Sequence, residues 1–422
     1  MYFSRIVDRE LDELCSESAA VAIEGPRAVG KTETALRRAA SVHRLDDETR
    51  LDVIRADPER LTSGEPPVLI DEWQRLPASW DVVRRAVDAD PRTLRFLLTG
   101  SAAPADLPTH SGAGRIVTVR MRPMSLAERG VSTPTVSLGN LLSGTRPLIE
   151  GACPLGLADY TAEITGSGFP AFRGRSGRVV RAYLDSYIDR ITEHHVHEFG
   201  RTVRNRAALR RWMSAYAAAS STAATFETIR DAAAPGEADK PNKATTIVYR
   251  AALEGLWLIE DVPAWLPTRN HLRRLAAAPV HQLADPALAA RLLEATAQTL
   301  LDGADNGPAV ARDGSLLGAL FQSLVTQSVR VYAQANEAKV FHLRTQGGEH
   351  EVDLIVQGVD GRIVALEVKL AANVTDHDIR HLRWLAERIG PELVDSAVIT
   401  TGPEAYRRRD GIAVIPAALL AD

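Results

Sequence analysis

Cysteine, lysine and long apolar runs are all scarce in this 422-residue chain. Its two cysteines, Cys15 and Cys153, stand far apart and in no CxxC spacing. That excludes a disulfide framework or a zinc ribbon and fits a reducing, cytoplasmic setting. No stretch approaches the ~18 apolar residues of a membrane span, so no membrane partner is expected. The start, Met1-Tyr2-Phe3-Ser4-Arg5, leads into acidic residues rather than the apolar segment of a signal peptide. An excess of one charge is missing too: 50 basic residues face 54 acidic ones, for a formal net charge of −4. No global basic field advertises nucleic acid, so any such face has to be local. Lysine is the most telling shortage. Of the basic residues only Lys31, Lys240, Lys243, Lys339 and Lys369 are lysine, and the rest are arginine. A position that keeps lysine in such a chain is one that calls for an ammonium rather than a guanidinium.

Hydrophobic residues make up 45% of the chain and charged residues 25%, which is the composition of a globular protein. The length predicts two to four domains of about 100–200 residues each. Over residues 1–130, short apolar runs alternate with helical patterns. Strands are expected at Ala20–Glu24, Val42–Leu45, Val68–Ile70, Leu94–Thr99 and Arg115–Val119, with helices over 1–19, Thr32–Ala40 and Trp80–Ala89. Such alternation predicts a parallel α/β sheet. Residues 131–160 are rich in Gly, Ser, Thr and Pro, and a linker is placed over 131–178. Residues 179–265 read as helices followed by the apolar run Leu256–Val262, a winged-helix-like pattern. The remainder, 266–422, reads as a small α/β domain: a helix over Leu316–Tyr332, strands at Lys339–Arg344, Glu351–Gln357 and Arg362–Leu370, a helix over Asp376–Ile389, and two further strands.

Gly25-Pro26-Arg27-Ala28-Val29-Gly30-Lys31-Thr32 fills the pattern GxxxxGK[ST] between a strand and a helix. In such a loop, backbone N–H groups surround phosphates, the lysine reaches the outer phosphates, and the Thr32 hydroxyl ligates magnesium. ATP and Mg2+ are the expected ligands. Val68-Leu69-Ile70-Asp71-Glu72 supplies the other half: Asp71 to hold the magnesium shell, Glu72 to orient and polarise the attacking water. Thr99 or Ser101, at the end of Phe96-Leu97-Leu98-Thr99-Gly100-Ser101, is placed to contact that water or the γ-phosphate, or else to cap the turn. Arg115, after Gly112-Ala113-Gly114, suits an arginine finger acting in cis or in trans, the latter implying a homo-oligomer.

A second constellation lies near the C-terminus. Asp353 is on one strand and Glu367-Val368-Lys369 on the next, embedded in apolar residues. Glu367 and Lys369, two apart on a strand, share a face. Two carboxylates can bind magnesium, and the lysine can orient water for phosphodiester hydrolysis; a cross-strand salt bridge is the plainer alternative. Register decides between them. A two-residue turn at Asp360-Gly361 would set Asp353 opposite Val368, whereas an odd loop such as Val359–Gly361 is needed for a shared site.

The strings GPRAVGKT, VLIDEWQRLP and LLTGSA, with GSGFPAF at 166–172, LADPAL at 283–288 and EVDLIV…ALEVK at 351–369, resemble those of a large prokaryotic family of AAA-type ATP-binding proteins. The resemblance implies an AAA-like ATPase, a winged-helix-like middle and a C-terminal domain similar to PD-(D/E)XK nucleases. It carries nuclease-like roles onto Asp353, Glu367 and Lys369, and with them DNA or RNA as partners. Gln322 departs from that pattern, standing where a further acid is common. A nucleotide-switched binding module with an inactive nuclease-like fold is the rival reading. Two other features are weighed. Glu193-His194-His195-Val196-His197-Glu198 reads as a polar helix face rather than a metal site. Arg201, Arg204, Arg206, Arg210 and Arg211 form the best local candidate for a nucleic-acid face.

Overall fold

The computed structural model describes residues 2–102, 111–195, 205–234, 236, 240–267, 277–302 and 315–422. Helix α1 (Val7–Glu17) leads into β1 (Ala20–Glu24), α2 (Lys31–Leu36), β2 (Ser41–Arg44), α3 (Glu48–Ala56), β3 (Val68–Asp71), α4 (Ala78–Ala89), β4 (Phe96–Gly100) and β5 (Ile116–Arg120). The five strands form one parallel sheet in the order β2-β3-β4-β1-β5. The inner strands β1, β3 and β4 are buried along nearly their whole length, which is why they read as unbroken apolar runs.

The stretch expected as a linker is ordered. It holds β6 (Val136–Ser137), α5 (Leu138–Leu142), β7 (Gly151–Ala152) and α6 (Leu157–Gly166). Its two-residue strands carry no periodicity. Their partners lie more than 250 residues away, at Leu420–Ala421 and Glu404–Ala405. Helices α7 (Gly177–Arg190), α8 (Arg206–Ala218), α9 (Phe226–Ala232) and α10 (Lys243–Gly255) follow. The run after α10 makes antiparallel bridges, Ile259 with Leu283 and Val262 with Val280. Helices α11 (Pro286–Leu292) and α12 (Ala297–Asp302) pack on α6, and α11 also on α7 and α8, so they join the middle helices rather than the unit placed at 266–422.

Helix α13 (Ser315–Ala335) opens the last unit. Then come β8 (Lys339–Arg344), β9 (Glu351–Gln357), β10 (Ile363–Val368), α14 (Arg380–Ile389), β11 (Leu393–Thr400), β12 (Glu404–Arg407), β13 (Ala413–Pro416) and β14 (Leu420–Ala421). The mixed sheet runs β7-β12-β13-β11-β10-β9-β8. One continuous apolar core joins a face of each sheet through the middle helices and α13; α3 and α4 cover the other face of the first sheet, and α14 that of the second.

Two of the recognised strings meet inside that core. The Asp285 carboxylate accepts from the Gly168 N–H (2.6 Å), the Ser167 hydroxyl (3.2 Å) and, as the cap of α11, the Ala287 N–H (2.8 Å). Asp285 is fully buried, and burial raises its pKa against the pull of Arg129 and these donors. GSGFPAF and LADPAL are therefore halves of one joint. Asp285→Ala removes a helix cap and strands buried donors, so it should cost about 2–4 kcal/mol of stability. Asp285→Asn, which keeps an acceptor, should cost less; urea or thermal unfolding of both variants measures the difference.

Candidate functional site

All five parallel strands end on one edge of their sheet. In register, Glu24 lies beside Gly100 and Arg120, and Asp71 beside Thr99. Residues that follow β1, β3 and β4 are therefore brought together whatever their separation in sequence. The loop from Gly25 to Thr32 turns here, with Ala28 and Gly30 at positive φ (63° and 104°). Gly25 is demanded by proximity: a Cβ there would lie 2.1 Å from the Met121 carbonyl oxygen.

Lys31 is 5% exposed, and its Nζ donates to the carbonyls of Gly25 (2.9 Å) and Pro26 (2.8 Å). Burial pushes its pKa down to about 8, with Glu72 pulling the other way. Thr32 Oγ1 donates to Asp71 Oδ1 at 2.8 Å, which pairs a hydroxyl with a carboxylate, the hard oxygen donors that magnesium takes. Thr99 also donates to Asp71 Oδ1. Ser101 Oγ instead donates to Glu72 Oε2 at 2.9 Å, so of the two hydroxyls it is Ser101 that sits with the expected water-polarising carboxylate. Gln74, which the sequence reading did not single out, donates to the same oxygen.

The loop is braced from outside its own sheet. Buried Arg5 donates to the Val29 carbonyl (2.9 Å) and to the Arg122 carbonyl (2.7 Å) and pairs with Glu128 at 3.1 Å. Tyr187 of α7 donates to the Arg27 carbonyl at 3.3 Å. Arg120 stacks over Trp257 at 3.7 Å, and Arg122 forks onto Glu260 (2.6 and 3.1 Å), where Arg330 of α13 also lies 3.8 Å away. Burial would push the Glu260 carboxyl up, but Arg122, Arg330 and Arg120 outweigh it and hold it well below the usual range. A lone arginine at a strand end gave no sequence signal for this contact between units.

Arg115 is misplaced for a role at its own nucleotide. It precedes β5, and Ile116 pairs with Ala20 at the start of β1, at the opposite end of the sheet from Gly25. The length of β1, about 13 Å, separates the two ends. Its guanidinium pairs with Asp88 of α4 at 2.8 Å. A residue before a parallel strand and a residue after one lie at opposite ends of the sheet, so this placement does not favour an arginine finger acting in cis. Of the other features weighed, His197, Glu198, Arg201 and Arg204 lie outside the described residues, as do the side chains of His194 and His195. Arg210 pairs with Asp189 at 2.5 Å.

In the last unit, β9 and β10 pair Leu354 with Leu366 and Gln357 with Ile363, closed by a three-residue turn, Val359–Gly361. One step beyond the last pair, Asp353 comes opposite Glu367. Asp353 Oδ2 accepts the Val368 N–H (2.7 Å), and Oδ1 accepts from Gln322 of α13 (3.0 Å). Gln322 thus acts as a donor to the carboxylate. Lys369 Nζ donates to Glu367 Oε1 at 2.8 Å, while Glu367 Oε2 is buried with no partner. Burial and the facing Asp353 push Glu367 up to about 8 against the pull of Lys369, and burial pushes Asp353 up to about 6. The orphaned oxygen is an acceptor that a proton or a cation would satisfy. Among the described residues no group of three or more His, Cys, Asp or Glu could hold a metal, so any cation here rests on these two carboxylates.

Comparison with known proteins fits this division. Residues 17–129 match an AAA domain family, 158–299 a domain of unknown function (DUF8612) and 317–420 another (DUF4143). Uncharacterized proteins of Mycobacterium tuberculosis and Mycobacterium bovis are each 25% identical over 405 residues, covering 94% of this chain and 80% of theirs. Among solved structures, a Walker-type ATPase of Pyrococcus abyssi aligns with a TM-score of 0.40 and 14% identity, over 69% of this chain and 96% of that one. The N-terminal unit is thus similar to AAA-type P-loop domains, a likeness that supports nucleotide binding.

Buried Lys31 gives this site a pH signature. The ammonium is charged below about pH 8, and bound phosphates would favour the charged form. ATP affinity should be flat below that pH and weaken by up to about tenfold per unit above it. Titrations with a non-hydrolysable analogue at pH 7, 8 and 9 check this; a flat profile would contradict it.

Proposed function

We propose that the chain is a magnesium-dependent ATP hydrolase whose nucleotide state is passed to the middle helices and the C-terminal unit. The observation that carries the reading is the meeting of Lys31, Thr32–Asp71 and Ser101–Glu72 on one sheet edge. Lys31, freed from its two carbonyls, binds the outer phosphates. Thr32 and Asp71 are the residues that would hold magnesium, which supplies positive charge to the phosphates when bound. Glu72 accepts the proton of the water whose oxygen bonds to the γ-phosphorus as the bond to the bridging oxygen breaks, giving ADP and phosphate. The braces from Arg5 and Tyr187 onto the loop's own carbonyls are what connect a change in that loop to the rest of the fold.

Lys31→Ala should abolish nucleotide binding. Glu72→Gln should keep binding and lose about 100-fold or more in turnover, because the amide cannot take the proton. Equal ATPase rates for wild type and Glu72→Gln would remove the role given to Glu72.

A second reading concerns the C-terminal unit, where the odd hairpin register favours it: Asp353 and Glu367 face each other beside Lys369. These residues would form a nuclease-like site for phosphodiester hydrolysis in DNA or RNA. A divalent cation there would supply Lewis acidity. The two carboxylates would hold it, and Lys369 would orient water. With Gln322 in place of a third acid, cation binding is weak, and cleavage should need millimolar-range magnesium or manganese. Lys369→Ala should abolish cleavage of DNA and RNA and leave ATP turnover intact. Absence of cleavage by the wild type at any cation concentration would leave the binding-module alternative in its place.

A further inference from the structure

We infer that Gln74 is a positioning residue for the hydrolytic step, acting through Glu72; the inference rests on the ATPase reading above. Glu72 ends the third strand in the left-handed region, with φ 57° and ψ 46°. The turn that follows, Trp73–Arg75, returns the Gln74 side chain onto the Glu72 carboxylate. Gln74 Nε2 donates to Glu72 Oε2 and lies 3.3 Å from the Ser101 hydroxyl, which donates to the same oxygen at 2.9 Å. One carboxylate oxygen therefore carries two donors, one from the turn after β3 and one from the end of β4.

The surroundings are shaped to keep that amide in place. Trp73, 3% exposed, packs its ring against Trp80 with centroids 4.7 Å apart. A Cβ on Gly100 would lie 2.6 Å from the Trp73 indole nitrogen and 3.2 Å from Gln74 Oε1, so a glycine at 100 is what lets the turn close onto β4. The amide orientation is fixed by its neighbour: reversed, it would set a carbonyl oxygen against a carboxylate oxygen. Gln74 Oε1 is buried and without a partner. A residue placed only to fill this turn would not need an amide that leaves its own acceptor unsatisfied.

The chemistry explains what the donors do. A general base needs one oxygen with free lone pairs held in a fixed direction. With Oε2 tethered twice, the carboxylate plane is set and Oε1 remains to take the proton of the attacking water. Gln74 touches neither water nor nucleotide; it sets the group that does. Without it Ser101 alone holds Oε2, and the carboxylate rotates about its last bonds.

The test compares full-length wild type with Gln74→Ala, the near-isosteric Gln74→Glu, and Glu72→Gln. It reads kcat, KM and the affinity for a fluorescent non-hydrolysable ATP analogue. Gln74→Ala should lower kcat by about 10- to 100-fold, with KM and analogue affinity within about threefold of wild type. Gln74→Glu keeps the size of the side chain and removes the donor, so its kcat should fall as in Gln74→Ala, with analogue affinity again within about threefold of wild type. A kcat within about twofold of wild type for Gln74→Ala, or a loss confined to analogue affinity, overturns the inference. Should Gln74→Ala not fold, a kcat within about twofold of wild type in Gln74→Glu overturns it instead. If wild type binds the analogue and does not turn over ATP, the ATPase reading falls and this inference with it. If Glu72→Gln is inactive while Gln74→Ala matches wild type, only this inference falls.

Discussion

An ammonium group at 5% exposure, held by two carbonyl oxygens and by no contacting carboxylate among the described residues, is costly to keep charged. Burial lowers the pKa of Lys31 to about 8, which measures that cost. In the proposed function, phosphates are what would restore the balance. The rest of the N-terminal unit follows from the need to hold Lys31 this way: glycines where the loop passes Met121 and turns left-handed, a parallel sheet whose strand ends converge, and carboxylates kept one strand away from the ammonium. Those carboxylates are occupied by hydroxyls, Thr32 and Thr99 on Asp71 and Ser101 on Glu72, and so stay clear of Lys31.

The loop's backbone is tied to elements that the sequence separates widely. Arg5 and Tyr187 hold the carbonyls of Val29 and Arg27 from opposite directions. Two residues past β5, Arg122 meets Glu260 beside Arg330, a buried carboxylate clamped by guanidinium groups. Removing one member of such a cluster leaves an uncompensated buried charge, so the three units have to keep their relative placement or lose the whole arrangement. Asp285, gripping Gly168 and capping α11, is the counterpart of that joint, its pKa raised by burial. These contacts tie the loop to α7, and the residues after β5 to α13, whose residue Gln322 reaches Asp353.

The two carboxylate pairs differ in how they are kept. Asp71 and Glu72 stand at a strand end and are satisfied by hydroxyl and amide donors. Asp353 and Glu367 face each other across a hairpin, and burial raises the pKa of both, to about 6 and about 8. Each raised carboxyl favours folding most when protonated, a contribution that is lost as pH rises from the ordinary carboxylate range through the folded value.

Local pattern was enough for some of this protein. The P-loop, the apolar strands carrying Asp71-Glu72 and Thr99-Gly100-Ser101, and the pairing of Glu367 with Lys369 are read from residues a few positions apart, because buried parallel strands are apolar runs and alternate residues of a strand share a face. The sequence also posed the hairpin question at Asp353 without answering it, since one residue more or less in the turn reverses a face. Tertiary structure alone decided what depends on distant partners. It paired the supposed linker with strands 12 and 14, because two-residue strands carry no signal of their own. It tied α11 to the middle helices through Asp285 and packed α12 on α6. It put Arg115 and Arg120 at opposite ends of the sheet, which strand direction implies only once the sheet is assembled. And it brought Gln74 onto Glu72, a contact set by one left-handed residue and one glycine on a neighbouring strand.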